Sequence, residues 1–128
     1  MSLNVLVVDD SAVMRAMVIK TLRLAGLPLG EIYQAADGRE GLEAIGAHGI
    51  DLVLADINMP VMNGEEMIEH LRASPDSSRI PVVVISTEGS QTRIERLEQQ
   101  GASFVHKPFT PETLRDVVKA IVGVTRDG

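Results

Sequence analysis

Residues 3–11 read LNVLVVDDS, an apolar run that ends in two adjacent carboxylates. The stretches DLVLAD (51–56) and PVVVIS (81–86) repeat the pattern, because each apolar run is followed at once by a polar side chain. Continuous apolar runs of this kind, without polar alternation, are typical of strands that are buried on both faces of a parallel sheet. The three stretches therefore predict a parallel β-sheet with polar side chains at the carboxyl ends of its strands.

Helix-like segments separate the apolar runs along the chain. Strands are predicted at 3–8, 32–35, 51–55, 81–85 and 103–106, the second being the weakest. Helices are predicted at 12–25, from a cap at Asp37 to about 47, at 64–73, at 92–100, and from Thr110-Pro111 to about 122. Five strands alternating with five helices predict an α/β fold with helices on both faces of the sheet. We expect a single domain spanning residues 1–128.

Composition excludes several classes of protein. The chain of 128 residues has no cysteine, so disulfides, thiolate catalysis and thiolate metal sites are absent. Its net charge is −6, its twelve Lys and Arg are scattered, and it has three aromatic residues, which argues against direct nucleic-acid binding. No apolar run approaches the roughly 20 residues of a membrane span, and no basic segment precedes an apolar one at the N-terminus. We expect a soluble cytoplasmic protein.

Polar side chains follow four of the predicted strands. Asp9 and Asp10 follow the first, Asp56 the third, Ser86 the fourth and Lys107 the fifth. Taken singly, each has an ordinary interpretation, such as a helix N-cap for Asp10 or a solvated turn residue for Lys107. Ligands of open parallel sheets bind outside the carboxyl ends of the strands, however, so we expect these groups to converge.

Three crowded carboxylates either bind protons more tightly or hold a cation. The available ligand atoms are all oxygens, which suits the hard ion Mg²⁺. With Mg²⁺ bound and with Lys107 and Ser86 as donors, the crevice suits phosphoryl transfer. A carboxylate can be the nucleophile of that reaction, and Asp56 on the central strand is the natural candidate.

These residues resemble the receiver domains of two-component response regulators, in particular the single-domain chemotaxis regulators of the CheY type. The matching stretches are VVDDS (7–11), DINMP (56–60) with Asn63-Gly64, VISTE (84–88), and GAS (101–103) through KPF (107–109). The resemblance covers essentially the whole chain. It implies a doubly wound, flavodoxin-like sheet with strand order 2-1-3-4-5, an order carried over from the family and not worked out from the sequence.

The resemblance also implies a role for each residue of the crevice. Asp56 would accept a phosphoryl group from a phosphohistidine of a sensor histidine kinase. Mg²⁺ would be held by Asp10, Asp56 and the backbone carbonyl of Asn58, with Asp9 acting mostly through water. Lys107 would contact the phosphoryl oxygens, and its peptide bond to Pro108 would be cis.

Further positions match the switching and resetting groups of that family. Ser86 would hydrogen-bond the phosphoryl group, and Phe104 would then turn inward. Many relatives have tyrosine where this chain has Phe104, and alanine is common where it has Thr87, whose β-branched side chain would hinder the turn. Asn58 and Glu88 would tune hydrolysis of the acyl phosphate, and their pairing suggests a short-lived phosphoryl group.

Signal output is expected through contact with another protein, because little chain follows the last predicted helix. The resemblance suggests the flagellar motor or another signalling protein as target, and no catalysis beyond the protein's own phosphorylation and dephosphorylation. A monomer is the simpler expectation for a regulator with no attached output domain. The segment 92–100 has Ile94 and Leu97 as its only large apolar residues, so we expect a weakly held helix. Arg93, Arg96 and His106 near it form either a partner contact or an ordinary solvated face.

Other functions fit the residues less well. A phosphatase of the haloacid dehalogenase type needs a second aspartate where this chain has Asn58. An FMN binder of the flavodoxin type would be repelled by Asp9-Asp10, and no P-loop motif is present. A binding module that keeps the receiver fold without being phosphorylated remains the alternative. Met14 and Met17 are expected in the core, and His48 and His70 on the surface.

Overall fold

A computed structural model of the protein, which describes residues 2–87 and 89–127, contains one five-stranded sheet and five helices. The strands are β1 (Leu3–Val8), β2 (Leu29–Ala35), β3 (Leu52–Ala55), β4 (Val82–Ser86) and β5 (Ser103–His106). The helices are α1 (Ala12–Leu24), α2 (Gly38–Ala47), α3 (Gly64–Ala73), α4 (Gln91–Gln99) and α5 (Pro111–Asp127). The strand order is β2-β1-β3-β4-β5, and all neighbouring strands are parallel. The predicted fold class and strand order are confirmed.

The two faces of the sheet carry separate hydrophobic clusters. On one face, α1 and α5 pack against alternate strand residues such as Val7. The helices contribute Val18 and Leu22 from α1, and Leu114 and Val118 from α5. On the other face, the cluster contains strand residues such as Val8 together with residues of α3 and α4, and partly buried residues of α2 pack against it. Both faces of the central strands are therefore buried, which explains why their sequences are apolar throughout.

Two element boundaries differ from the sequence prediction by more than one residue. Strand β2 begins at Leu29, three residues before the predicted start, because the backbone of this edge strand pairs Leu29 with Leu3 although its side chains are half exposed. Helix α5 continues to Asp127, beyond the predicted end near residue 122. A single glycine inside a helix costs only about 1 kcal/mol, so Gly123 does not end it.

The first turns of the helices lie at the same edge of the sheet as the strand ends, and a side chain caps each of the five. Backbone N–H groups of the following turn donate hydrogen bonds to the side chains of Ser11, Asp37, Asn63, Ser90 and Thr110. These short, capped connections hold the residues between strand and helix in fixed positions.

Surface and core positions mostly follow the prediction. His48 and His70 are exposed, as expected, and the ring of His48 stacks on Tyr33 at 4.0 Å. The expectation that Met17 lies in the core is wrong, because its side chain is 54% exposed on α1. Within the described part of the chain, no helix combines the length and apolar character needed to span a bilayer.

Candidate functional site

The sheet itself positions the acidic and basic groups of the candidate site. Hydrogen bonding between strands continues one residue past three strand ends, since Asp9 N donates to Ala35 O, Asp56 N to Val8 O, and Lys107 N to Ser86 O, each at 3.0 Å. The backbone of each functional residue is therefore fixed by the neighbouring strand. Their side chains emerge together at one edge of the sheet, as the sequence predicted.

Three carboxylates and one ammonium group meet there. One carboxylate oxygen from each of Asp9, Asp10 and Asp56 lies within 4.8 Å of the other two. Lys107 Nζ lies 3.9 Å from Asp9 Oδ2 and 3.8 Å from Asp56 Oδ2. Asp9 is buried, Asp56 and Lys107 are half-buried, and Asp10 is exposed, so the cluster opens to solvent on the side of Asp10.

The electrostatics of the cluster are unbalanced. The pKa of Asp9 is raised, first by burial and then by repulsion from Asp56 and Asp10, while a hydrogen bond from the Ser11 N–H and the charge of Lys107 oppose the rise. Two like charges about 4 Å apart repel by about 4 kcal/mol at an effective dielectric constant near 20. One ammonium group cannot neutralise three carboxylates, so the cluster favours a further cation.

The donor set fits Mg²⁺. All candidate ligands are carboxylate oxygens, which Mg²⁺ prefers, and the exposed side of the cluster leaves room for the water molecules that this ion retains. Among the side chains that the structure describes, in residues 2–87 and 89–123, no other three His, Asp or Glu come close enough to share an ion. Asn58, the fourth expected ligand, is exposed two residues beyond Asp56, and its part in metal binding stays a prediction.

The carboxylate of Asp56 is oriented from both sides. Its Oδ1 accepts a hydrogen bond from the Ile57 N–H at 2.7 Å, while Oδ2 faces Lys107.

The start of α3 lies very close to the backbone of Asp56. Gly64 N donates to Ile57 O at 2.9 Å, and a Cβ at position 64 would collide with the carbonyl oxygen of Asp56. Glycine is thus required at this position by the close approach of α3 to the site, a reason that the motif alone does not give.

One residue that holds the site was missed by the sequence analysis. Arg15 Nη1 donates to Asp9 O at 2.6 Å, and its Nε donates to Gln34 Oε1 at 3.0 Å. The arginine ties the backbone of Asp9 to α1 and β2. A single arginine on a helix carries no sequence signal for such a contact.

The predicted switch residues lie on β4 and β5 and in the connections that follow them. Ser86 is the buried last residue of β4, and Thr87 beside it is exposed. Phe104 is half-buried, lies opposite Val84 in the sheet, and contacts His106 edge to face at 4.6 Å between ring centroids. The Lys107–Pro108 peptide bond is cis, as the resemblance implied. Glu88 lies outside the described residues.

Helix α4 is held by two buried side chains and by a contact just past its C-terminal end. Its buried side chains are Ile94 and Leu97, as expected from the sequence. Arg72 Nε donates to Gln100 O at 2.7 Å, just past the end of the helix, and burial lowers the pKa of Arg72. On the outer side, Arg96 Nη2 lies 3.4 Å from Glu65 Oε1 of α3.

The similarity to known proteins extends well beyond the site. The family model described as response regulator receiver domain matches residues 5–119. The chemotaxis protein CheY1 of Helicobacter pylori is 33% identical over 123 residues, covering 94% of this chain and 98% of that protein. The structure of the chemotaxis response regulator CheY4 of Vibrio cholerae has a TM-score of 0.81 at 36% identity, covering 94% of this chain and 99% of that one. A CheY-like receiver domain from Methanospirillum hungatei shares the fold, with a TM-score of 0.85 at 23% identity.

Proposed function

The chain belongs to the response regulator receiver domain family, whose members are signalling proteins of two-component systems, and from this premise we propose that Asp56 is its phosphoacceptor. The donor would be a phosphohistidine of a sensor histidine kinase. The observation that carries the proposal is the position of the Asp56 carboxylate, within 4.8 Å of two further carboxylates and 3.8 Å from an ammonium group. This arrangement combines a nucleophile, a candidate cation site and a positively charged side chain.

Phosphoryl transfer would proceed by attack of an Asp56 carboxylate oxygen on phosphorus, with the bond from phosphorus to the histidine nitrogen breaking. The Ile57 N–H holds the plane of the carboxylate, so little reorientation is needed. Lys107 would bind an oxygen of the incoming group, moving from its position between Asp9 and Asp56. Bound Mg²⁺, held by Asp9, Asp10, Asp56 and the Asn58 carbonyl, would neutralise negative charge.

The conformational response would involve the ends of β4 and β5. The hydroxyl of Ser86 would move to donate a hydrogen bond to the phosphoryl group. Phe104 would then turn into the space that the Ser86 side chain had vacated. Thr87 next to Ser86 would restrict this movement, since a β-branched side chain has few rotamers. Asn58 and Glu88 would set the rate at which water reaches the acyl phosphate, and we expect a short-lived phosphoryl group.

Output would use the face around α4, β5 and α5, including Arg93, Arg96 and His106. The thin buried face of α4 supports a movable helix there. A protein target receives the signal, and the proposal includes a cytoplasmic monomer with residues 1–128 forming one receiver domain. No catalysis beyond the protein's own phosphorylation and dephosphorylation is proposed.

The test is intact-mass measurement after incubation with acetyl phosphate and Mg²⁺, on the wild type and on Asp56→Asn. We expect one added phosphoryl group on the wild type, none on the variant, and loss of the reaction with a metal chelator. If the folded wild type binds Mg²⁺ but gains no mass, the phosphorylation-independent binding module becomes the better explanation.

A further inference from the structure

A cleft of about 380 Å³ lies between α1 and the turn that joins β5 to α5. Met14 and Met17 line it from α1, and Lys107, Pro108 and Phe109 line it from the turn. Its walls are largely apolar apart from the lysine and threonine side chains. Met17 is 54% exposed beside this cleft.

The cleft shares one lining residue with the candidate phosphoacceptor site. Lys107 is part of its lining, and Lys107 Nζ lies 3.8 Å from Asp56 Oδ2. A molecule that places an anionic group at Lys107 and extends along α1 would therefore have its anion beside Asp56 and its apolar part between Met17 and Phe109. Small-ligand sites commonly have this volume and this character, with mostly apolar walls and a few polar groups that set orientation.

We propose that the cleft binds the apolar acyl chain of small acyl phosphates that donate a phosphoryl group to Asp56. The inference rests on the proposed function and adds to it a binding site for the acyl part of such donors. An Asp56 oxygen forms a bond to phosphorus while the bond from phosphorus to the acyl oxygen breaks. The electron pair leaves with the released carboxylate, so no proton has to be transferred.

The dimensions favour a small donor over a protein as occupant. The cleft is bounded by a few side chains on each side, whereas a stable protein contact covers about 800 Å² on each partner. The thioethers of Met14 and Met17 are flexible and adapt to chains of different length. The positive charge of Lys107 at one end of the cleft sets the orientation of the bound donor, with its phosphoryl group at the lysine.

A homologous series of donors tests the proposal: acetyl, propionyl and butyryl phosphate, each at subsaturating concentration with Mg²⁺. Their leaving carboxylates have similar basicity, so their intrinsic reactivities are close. Transfer of a methylene group into the cleft should raise the phosphorylation rate by up to about fourfold. The expected result, measured by intact mass over time, is a rate that increases from acetyl to butyryl phosphate.

Two variants on α1 locate the effect. Met17→Ala should lower the ratio of the butyryl to the acetyl rate towards one, because it removes part of the cleft wall. Leu24→Ala is the matched control, since Leu24 is 66% exposed on the same helix but does not line the cleft. It should leave the ratio unchanged, and both variants should keep the helical circular dichroism spectrum of the wild type.

The outcomes that overturn the proposal are distinct from failure of the proposed function. Equal rates for the three donors would refute the cleft as an acyl site while leaving Asp56 as phosphoacceptor, and the cleft would then be open to a protein donor. A graded series that Met17→Ala does not change would place the acyl chain elsewhere. No reaction with any donor would refute both proposals together.

Discussion

Neutralising Asp9 is expected to stabilise the metal-free protein. Asp9 is 5% exposed and lies among two other carboxylates. At 4.8 Å, the upper bound on the separation between these oxygens, each repulsion is worth about 3.5 kcal/mol at an effective dielectric constant near 20. The attraction to Lys107 at 3.9 Å is worth about 4 kcal/mol on the same basis and cancels roughly one of them. The cost of burial and the repulsion from Asp10, which solvent weakens, are not cancelled. Asp9→Asn should therefore raise the free energy of unfolding by about 1–2 kcal/mol.

The sign of the pH dependence follows from the raised pKa of Asp9. A carboxyl group whose pKa is higher in the folded state holds its proton more tightly there than in the unfolded chain. Its ionisation therefore lowers the free energy of unfolding as the pH rises from the unfolded value of 3.8 through the folded pKa. The advantage of Asp9→Asn should be complete above the folded pKa and should shrink as the pH falls towards 3.8.

The assay is urea unfolding followed by circular dichroism in a chelator, at pH values between about 4.5 and 8, where linear extrapolation gives the free energy of unfolding. Asp10→Asn is the control, because the exposed side chain of Asp10 should contribute less. With saturating Mg²⁺ the wild type should become more stable than Asp9→Asn. It keeps three carboxylates for the ion, so binding raises its free energy of unfolding by more. An Asp9→Asn protein that is less stable than the wild type at pH 7 in chelator, or a gain that does not change with pH, would refute the reasoning.

Three further predictions concern neighbouring positions. Lys107→Met should slow phosphorylation of Asp56 by acetyl phosphate by on the order of 10²-fold, because it removes the positive charge that lies 3.8 Å from that carboxylate. An unchanged rate, measured by intact mass over time, would contradict this. Gly64→Ala should lower the free energy of unfolding by about 2–3 kcal/mol through its collision with the Asp56 carbonyl, whereas Gly46→Ala, with open space around it in α2, should raise it by about 0.5–1 kcal/mol. Val61→Asn should raise the free energy of unfolding by about 1 kcal/mol, because Val61 has a φ of 65°, which asparagine adopts more easily, and is 76% exposed. A lower free energy of unfolding in urea would count against backbone strain at this position.

The sequence predicts the strands, the helices and the composition of the site because these depend on local patterns, whereas the strand order came from the family resemblance. An apolar run followed by Asp9 or Asp56 marks the end of a buried strand, and parallel strands bring such ends together whatever the loops do. The start of β2 at Leu29 was missed because edge-strand pairing is a backbone contact with few apolar side chains. The contact of Arg15 with the Asp9 carbonyl depends on how α1 lies across the sheet, and no local pattern encodes that orientation.

The same carboxylate geometry links the stability of the metal-free protein to its capacity for signalling. Burial of Asp9 beside Asp56 and Asp10 opposes folding without a cation, and it also creates the negative potential that a cation would satisfy. The hydrophobic clusters on both faces of the sheet offset this destabilisation, because their packing holds the strands in place whatever the charges at the strand ends. A change that relieves the repulsion should therefore gain stability and lose cation affinity together, so a variant that gained both would show that the two properties arise from different groups.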